Sequence, residues 1–554
     1  MDVSFFQQPG VIFGIAAALT WIAKRFRLPY TLFLLMAGAL LGTNGLGWWS
    51  SFGSFQLFAD MGIAMLLFLV GMGMSPAFFQ EVGWRPVRLV GQSVLAIGLA
   101  GVFWTGIFPI PVFLRVVIGV LFAFNSTMLS LKALGERHEL ERTHGKLVTS
   151  ILILQDVMAG FVLLAVSLWQ VSAQQGSAAG AFLLVYLIKL VLLGGICWLA
   201  ARIWTAKIWR ALAKQPDAFL LAAFAYPLFV GAMFTWGGIS AELGALVAGI
   251  SLASSDFRYE LMGRLRPLRD IFLAPFFFLI GLQWSWIEAR VVLPHIVLGW
   301  MIVGVFAPVF MAWRAKRAGY LQSVSVFVGG SLAHMSEFAL LVMALLGSAV
   351  PTELRMAVIS IVMISMVTGT LLVQAVPWMV RRVRRYWPEK REAIELKTVP
   401  EAFLFGCHRV GSDFLPVIKK QHRPFVVVDV DPQVIEDMRQ RHIQAIFGDL
   451  ENRELLEQLS IEKAKLIVST VPDLSLQIHL LRYLKRKRAK SIVILVAHEV
   501  QDALELYRMG ASYVILPHFL GGNYASQLVT HHGYNADLFE VERAKHLKHL
   551  KQRG

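Results

Sequence analysis

Leu147–Trp169 reads LVTSILILQDVMAGFVLLAVSLW, an unbroken apolar run with one ionisable side chain, Asp156, directly preceded by Gln155. About 20 apolar residues carry a helix across a hydrocarbon core roughly 30 Å thick, so the run is long enough to cross a bilayer. The last charge before the acid is Lys146, ten residues back. At about 1.5 Å per helical residue, Asp156 lies about 15 Å in, near the midplane. A carboxylate there costs roughly 2.5 to 3.5 kcal/mol on insertion scales, a cost offset when the group faces a polar cavity and takes up a proton or a cation. The stretch therefore predicts a membrane span and an ion site together.

The rest of the chain has the same character. Of 554 residues, 56% are hydrophobic and only 16% charged, with 38 Phe and 16 Trp, the composition of a polytopic membrane protein. Apolar runs of transmembrane length number about thirteen. They stop near Val380, and an ordinary charged α/β sequence follows. Four segments are expected: a membrane domain over 1–380, a basic linker over 381–399, a Rossmann-like domain over 400–530 and a basic tail over 531–554. The linker holds Arg381, Arg382, Arg384, Arg385, Lys390, Arg391 and Lys397, a charge pattern suited to an anionic leaflet.

The net charge of +16 does not call for nucleic acid, because the basic residues fall in alternate short loops. Lys24, Arg25 and Arg27 follow the first run, Arg85 and Arg88 the third, Lys132, Arg137, Arg142 and Lys146 the fifth, and Arg314, Lys316 and Arg317 the eleventh. The loops between are nearly free of them. By the positive-inside rule the N-terminus is outside and the C-terminal domain is cytosolic. The first run lacks the basic flank of a cleavable signal and reads as a retained helix. Two cysteines, Cys197 and Cys407, support neither a disulfide framework nor a zinc site.

Two spans look discontinuous, which a bilayer tolerates only where the broken backbone is enclosed by protein. In the fifth, Asn125-Ser126-Thr127 places three polar groups mid-membrane, about thirty residues before Asp156. In the last, Ser365 and Thr368-Gly369-Thr370 interrupt an apolar run at a comparable place. A second intramembrane acid, Glu337, lies near the latter. The pattern predicts an inverted repeat with paired broken helices around a midplane site. Small polar residues also serve ordinary helix packing in membranes. Asp60 and Glu242 lie near span ends, within reach of the interface.

Several segments, in order, resemble the Kef-type members of monovalent cation:proton antiporter family 2. They are Asp60-Met61-Gly62 leading into Leu66-Leu67-Phe68-Leu69-Val70-Gly71, the Asn125-Ser126-Thr127 break, Leu154-Gln155-Asp156, Ala245 to Gly249, Pro275-Phe276-Phe277-Phe278 through Gly281, and Ser336-Glu337-Phe338-Ala339. The resemblance implies that Asp156 carries proton and cation in turn, and that Gln155, in place of a second acid, belongs to the potassium-transporting branch. It also implies a homodimer in the inner (plasma) membrane. Asn125, Ser126, Thr127 and Glu337 are the further candidates for the ion path. The family commonly reads Gln-Gly-Gly-Glu-Phe where this chain has His334-Met335-Ser336-Glu337-Phe338. His334 is thus a titratable newcomer, either a pH sensor or a hydrogen-bonded packing residue. No lysine occurs in the Val291 to Trp313 span or the one after it, so the aspartate–lysine pair of electrogenic relatives is not expected.

Past Pro400 short apolar strands alternate with helical stretches, the pattern of a parallel Rossmann-type sheet. Strands are expected at Ala402 to Phe405, Phe425 to Val428, Ala445 to Phe447, Leu466 to Ser469, Ile492 to Val496 and Tyr513 to Leu516. The first runs into Gly406-Cys407-His408-Arg409-Val410-Gly411, a glycine fingerprint whose middle glycine is replaced by His408, which restricts the approach of a pyrophosphate. Asp429 follows about twenty residues on, as a ribose-binding acid does. This module resembles the regulator-of-potassium-conductance, or TrkA N-terminal-like, domain. The resemblance implies nucleotide contacts at Gly406, His408, Arg409, Gly411, Asp429, Asp431, Gly448, Asp449 and Thr470. The expected ligand is a regulatory nucleotide, AMP or NAD(H), with no metal cofactor; the alternative is a degenerate fold kept for dimerisation.

The function expected is exchange of a monovalent cation, potassium before sodium, for protons, under nucleotide control. Sodium/proton exchange on the same fold is the alternative. A ligand-gated channel would need a carbonyl filter, and no Thr-Val-Gly-Tyr-Gly-like run is present. Catalysis is not expected, since no substrate domain accompanies the nucleotide fold.

Overall fold

The computed structural model describes residues 4–26, 28–42, 44–47, 53–74, 83–137, 139–140, 142–175, 179–212, 214–386, 399–407, 410–448, 450, 453–471, 473–533 and 535–551. The chain divides near residue 389 into two compact units.

The first unit is helical. In chain order it contains α1 (Ser4–Phe26), α2 (Tyr30–Leu41), α3 (Gly53–Gly73), α4 (Trp84–Thr105), α5 (Val112–Leu121), α6 (Thr127–Glu136), α7 (Thr143–Gln175) and α8 (Ala179–Leu212). Then come α9 (Pro216–Trp236), α10 (Ala241–Leu252), α11 (Arg258–Leu282), α12 (Trp286–Val291), α13 (Leu293–Met301), α14 (Ala307–Arg317), α15 (Gln322–Ser331), α16 (Phe338–Leu346) and α17 (Thr352–Tyr386). A π turn at Ile302–Phe306 joins α13 to α14. Seven of the described stretches are long and apolar enough to cross a membrane by length and composition, among them Thr143–Gln170 and Thr352–Val383. Five shorter apolar stretches, of 10 to 17 residues, accompany them among the described residues, Tyr30–Leu41 and Ala241–Leu252 included.

With lipid outside, helix association rests on close packing, not on hydrophobicity, and small residues set the seams. The Leu66–Gly71 and Ala245–Gly249 segments, separated in sequence, meet in one such seam between α3 and α10. A Cβ on Gly71 would stand 2.3 Å from the Leu246 carbonyl oxygen, and one on Gly249 2.1 Å from that of Phe68. No side chain fits at either position. Leu66, Leu67, Phe68 and Leu69 are buried there.

The first break occurs where expected: α5 ends at Leu121, α6 starts at Thr127, and Ser126 between them is extended, at φ −72° and ψ 114°. The second does not. The last span, α17, is one continuous helix, and the second break is Leu332–Glu337, between α15 and α16. The polar cluster in α17 imitates a break without making one, because its hydroxyls bond back to their own helix. Ser365 donates to the Val362 carbonyl (2.9 Å), Thr368 to Ile364 (2.9 Å) and Thr370 to Met366 (2.7 Å).

The second unit is a six-stranded, wholly parallel sheet in the order β3-β2-β1-β4-β5-β6. Its strands are β1 (Ala402–Phe405), β2 (Phe425–Asp429), β3 (Ala445–Phe447), β4 (Leu466–Ser469), β5 (Ile492–Val496) and β6 (Tyr513–Ile515). They match the expected strands to within a residue at each end. Val426, Val427, Phe403, Leu404, Ile467 and Val468 are wholly buried, as in a sheet covered on both faces. The chain order reverses between β1 and β4, the switch point at which such sheets bind ligands. Beyond β6, helices occupy Pro517–His532 and Ala536–Lys551. Arg381, Arg382, Arg384 and Arg385 of the basic linker continue α17, while Lys390, Arg391 and Lys397 lie outside the described residues.

Candidate functional site

A broken helix leaves carbonyls at the end of one half and amides at the start of the next without partners, a cost of several kcal/mol each in hydrocarbon. The two breaks satisfy one another. The Ser336 amide donates to the Phe124 carbonyl at 2.9 Å, and the Ser126 amide donates to Nδ1 of His334 at 3.1 Å. Ser130 Oγ donates to the Ser331 carbonyl at 2.7 Å and lies 3.0 Å from His334 Nε2. Turned to suit its surroundings, the Asn125 amide donates to the carbonyls of Leu332 (2.8 Å) and His334 (2.9 Å). From the last span, Ser365 Oγ accepts from the Met335 amide at 3.1 Å.

This network assigns the state of His334. Nδ1 accepts, so the ring is neutral, its proton is on Nε2, and that proton is donated to Ser130. His334 is fully buried. Room for it comes from Gly369 of α17, where a Cβ would fall 2.7 Å from that of His334 and 2.8 Å from the Ala333 carbonyl oxygen. The glycine expected to interrupt the last span is instead the notch that receives the second break.

Gln155 and Asp156 of α7 face the crossing. Gln155 is 1% exposed and committed to backbone: its Nε2 donates to the Ala123 carbonyl (2.8 Å), and its Oε1 accepts from the Asn125 amide (3.1 Å). Asp156 is half-buried, and its Oδ2 accepts from Thr127 Oγ1 at 2.8 Å. Thr127 is the first residue of α6, so the carboxylate meets the positive end of a half-helix. Of the three polar residues in the first break, only Thr127 hydrogen-bonds Asp156 among the described residues; Asn125 and Ser126 are turned to the second break. Glu337 immediately precedes α16 and is 9% exposed, with its Oε2 buried and unpartnered among the described residues. The fields of Glu337 and of Arg269 on α11 both reach Asp156. Arg269 itself is held by Asp270, at 2.7 Å.

Sequence reading missed Ser130 and Ser331, and took Ser365 for part of a break in the last span. Ser130, Ser331, Ser336 and Ser365 are each nearly or wholly buried and each holds one end of the crossing. Ser130 and Ser365 act through their hydroxyls, a signal shared with routine helix packing, whereas Ser331 acts through its carbonyl and Ser336 through its amide, which no side chain announces.

In the sheet unit, the expected nucleotide residues gather at the C-terminal ends of β1, β2 and β4. Gly406 has φ +81°, a conformation few side chains adopt, and a Cβ there would stand 2.8 Å from Thr470 Oγ1. Thr470 Oγ1 donates to the Gly406 carbonyl at 3.0 Å. A Cβ on Gly411 would lie 2.1 Å from the same carbonyl oxygen. Asp429 closes β2: its Oδ2 accepts from the Cys407 amide (2.8 Å) and its Oδ1 from the Asp431 amide (2.9 Å). These two bonds fix the orientation of the carboxylate at the end of the strand. Gly448 follows β3, and its amide donates to the Asp429 carbonyl at 2.9 Å. His408, Arg409 and Asp449 lie outside the described residues. Burial, and then the neighbouring Asp429 carboxylate, push the Cys407 thiol up to about 11; at neutral pH it stays protonated and unreactive. Among the described residues no three His, Cys, Asp or Glu side chains gather as metal ligands.

Two broken helices that satisfy one another beside the carboxylates of Asp156 and Glu337 define a secondary ion transporter. A family model described as the transmembrane sodium/hydrogen exchanger matches residues 13–378, and one described as the TrkA-N domain matches 402–517. The chain belongs to the sodium/hydrogen exchanger family, and it is a transporter, not an enzyme. It is 25% identical over 527 residues to the glutathione-regulated potassium-efflux system protein KefC of Cronobacter sakazakii, covering 92% of this chain and 83% of that one. A KefC of Escherichia coli is also 25% identical, over 523 residues covering 92% and 82%. Among solved structures, the sodium proton antiporter MjNhaP1 of Methanocaldococcus jannaschii shares the membrane fold, with a TM-score of 0.51 at 14% identity, over 70% of this chain and 99% of that one.

Proposed function

We propose that the protein exchanges potassium for protons at Asp156, one for one. The observation that carries this reading is the company Asp156 keeps: its hydrogen-bond partner is the neutral hydroxyl of Thr127, and the neighbouring Gln155 is consumed by the backbone of the first break. Among the described residues neither a lysine nor a second acid hydrogen-bonds Asp156, and a single carboxylate so placed binds a proton or a cation, not both. Thr127 serves either state, since a hydroxyl donates to a carboxylate and also offers lone pairs to a cation. Potassium, in preference to sodium, rests on the likeness to relatives named as potassium-efflux proteins.

The membrane domain covers 1–380 in the inner membrane with its N-terminus outside, and the linker over 381–399, the nucleotide domain over 400–530 and the tail over 531–554 are cytosolic. The protein works as a homodimer. AMP or NAD(H) binds with its ribose on Asp429 and its phosphates over the Gly406–Gly411 turn, and thereby regulates exchange.

In proteoliposomes carrying a pH dye, an imposed potassium gradient is expected to drive proton movement several-fold faster than an equal sodium gradient, with no response to membrane potential. Faster exchange with sodium, or flux that follows the potential, would reject the assignment. For the nucleotide domain, AMP or NADH is expected to raise the melting temperature of the full chain, and Asp429→Ala to remove the shift. Stabilisation by neither ligand would leave a fold kept for dimerisation alone.

A further inference from the structure

Away from the crossing, α4 and α14 enclose a cavity of about 340 Å³ lined by Arg85, Arg88, Leu89, Gln92, Arg314, Arg317 and Ala318. Four guanidinium groups share this space, and no carboxylate is among its lining residues. The Arg85 Nη1 and Arg314 Nε atoms are buried without a hydrogen-bond partner among the described residues. Among the described residues the side-chain bond Arg314 makes is to the neutral oxygen of Gln92 and not to a carboxylate. Nor does the first turn of α4 hold an acid: Arg85 and Arg88 sit at the positive end of that helix, where cations are disfavoured.

Like charges at such distances repel, and a guanidinium N–H buried without an acceptor is costly. An anion with several acceptor oxygens relieves both. The planar fork of arginine matches phosphate in particular, through paired N–H···O bonds.

We propose that this cavity is a binding site for a phosphate group, and its surroundings favour that of an anionic phospholipid. Trp84, 77% exposed, begins α4, and Trp313, 44% exposed, lies beside Arg314 and Arg317, both of which stack on its ring. Exposed tryptophans mark the headgroup level of a bilayer. Further along, Leu95 and Leu99 on α4, Val309 on α14 and Phe306 at the end of the π turn before it are exposed, an apolar flank that suits acyl chains. These arginines end the loops that the positive-inside rule assigns to the cytosolic leaflet, where basic pockets between helices take anionic headgroups.

The test uses the full chain, delipidated in a neutral detergent, and follows its melting temperature with added dioleoyl phosphatidylglycerol, dioleoyl phosphatidylcholine or inorganic phosphate at matched ionic strength. Phosphatidylglycerol is expected to raise the midpoint by roughly 4 °C or more over phosphatidylcholine. Arg85→Gln combined with Arg314→Gln should lose most of that shift, while Arg266→Gln, an exposed arginine on α11, should keep it. Protection by inorganic phosphate as large as that by the lipid would support the site with a soluble phosphate as its ligand. No protection by either, or equal protection of the double variant, would overturn the proposal. Should that variant fold poorly, Arg88→Gln with Arg317→Gln alters the exposed arginines of the cluster, and native mass spectrometry counts the phosphatidylglycerol it retains. An unchanged count would equally overturn the site.

Discussion

Asp156→Asn, reconstituted into liposomes, is expected to carry no potassium-driven proton flux above that of protein-free vesicles, a loss of at least about 100-fold. An amide neither titrates near neutral pH nor supplies the charge that offsets dehydration of a cation, and charge-assisted contacts are roughly twice as strong as neutral ones. The fold should survive, because the Asn oxygen can still accept from Thr127 Oγ1, which bonds the carboxylate at 2.8 Å. Thermal stability should hold or rise, since a half-buried charge is removed. Asp156→Glu should keep measurable exchange. Flux near the wild-type level in Asp156→Asn would move the carrier role elsewhere, with Glu337 the next candidate.

The second large effect is expected at His334. His334→Ala removes the acceptor of the Ser126 amide and the donor to Ser130, 3.1 and 3.0 Å away, and empties a fully buried site. An orphaned buried amide costs about 1 to 3 kcal/mol, and the cavity adds to that. Because about 1.4 kcal/mol is a factor of ten in rate, transport should fall at least about tenfold, with a lower melting temperature. His334→Asn should recover much of both, because its Oδ1 stands where Nδ1 did and accepts the same amide. The role as acceptor also fixes the effect of charge: an imidazolium would set its N–H against that of Ser126. At saturating potassium, where competition at Asp156 is relieved, wild-type transport should therefore decline towards acid more steeply than His334→Asn. His334→Ala with wild-type flux and stability, or an acid limb unchanged in His334→Asn, would remove His334 from this role.

What the amino acids disclosed unaided depended on the range of the interaction concerned. Asp156 and the Asn125–Thr127 break stood out because a polar group in an apolar run is costly wherever its partners are. The strands of the sheet unit were legible almost to the residue, since short branched runs such as Phe425–Asp429 are bounded by turn and acidic residues. The second break was misplaced by one span because Thr368-Gly369-Thr370 carries the composition of a break while its hydroxyls bond back within the helix. The real break, Leu332–Glu337, holds its shape through partners far away in sequence. No local pattern reports that Ser126 pairs with His334.

That separation bears on how the protein is made. Ser126 and His334 are 208 residues apart, so when α5 and α6 leave the ribosome the groups that will receive their open backbone do not yet exist. The first half of the membrane unit must wait in the bilayer with unmet amides until the second half is synthesised and threaded against it. Its insertion is completed, not merely followed, by the arrival of α15 and α16, and a chain truncated before residue 332 should be held by quality-control proteases instead of accumulating as a stable fragment.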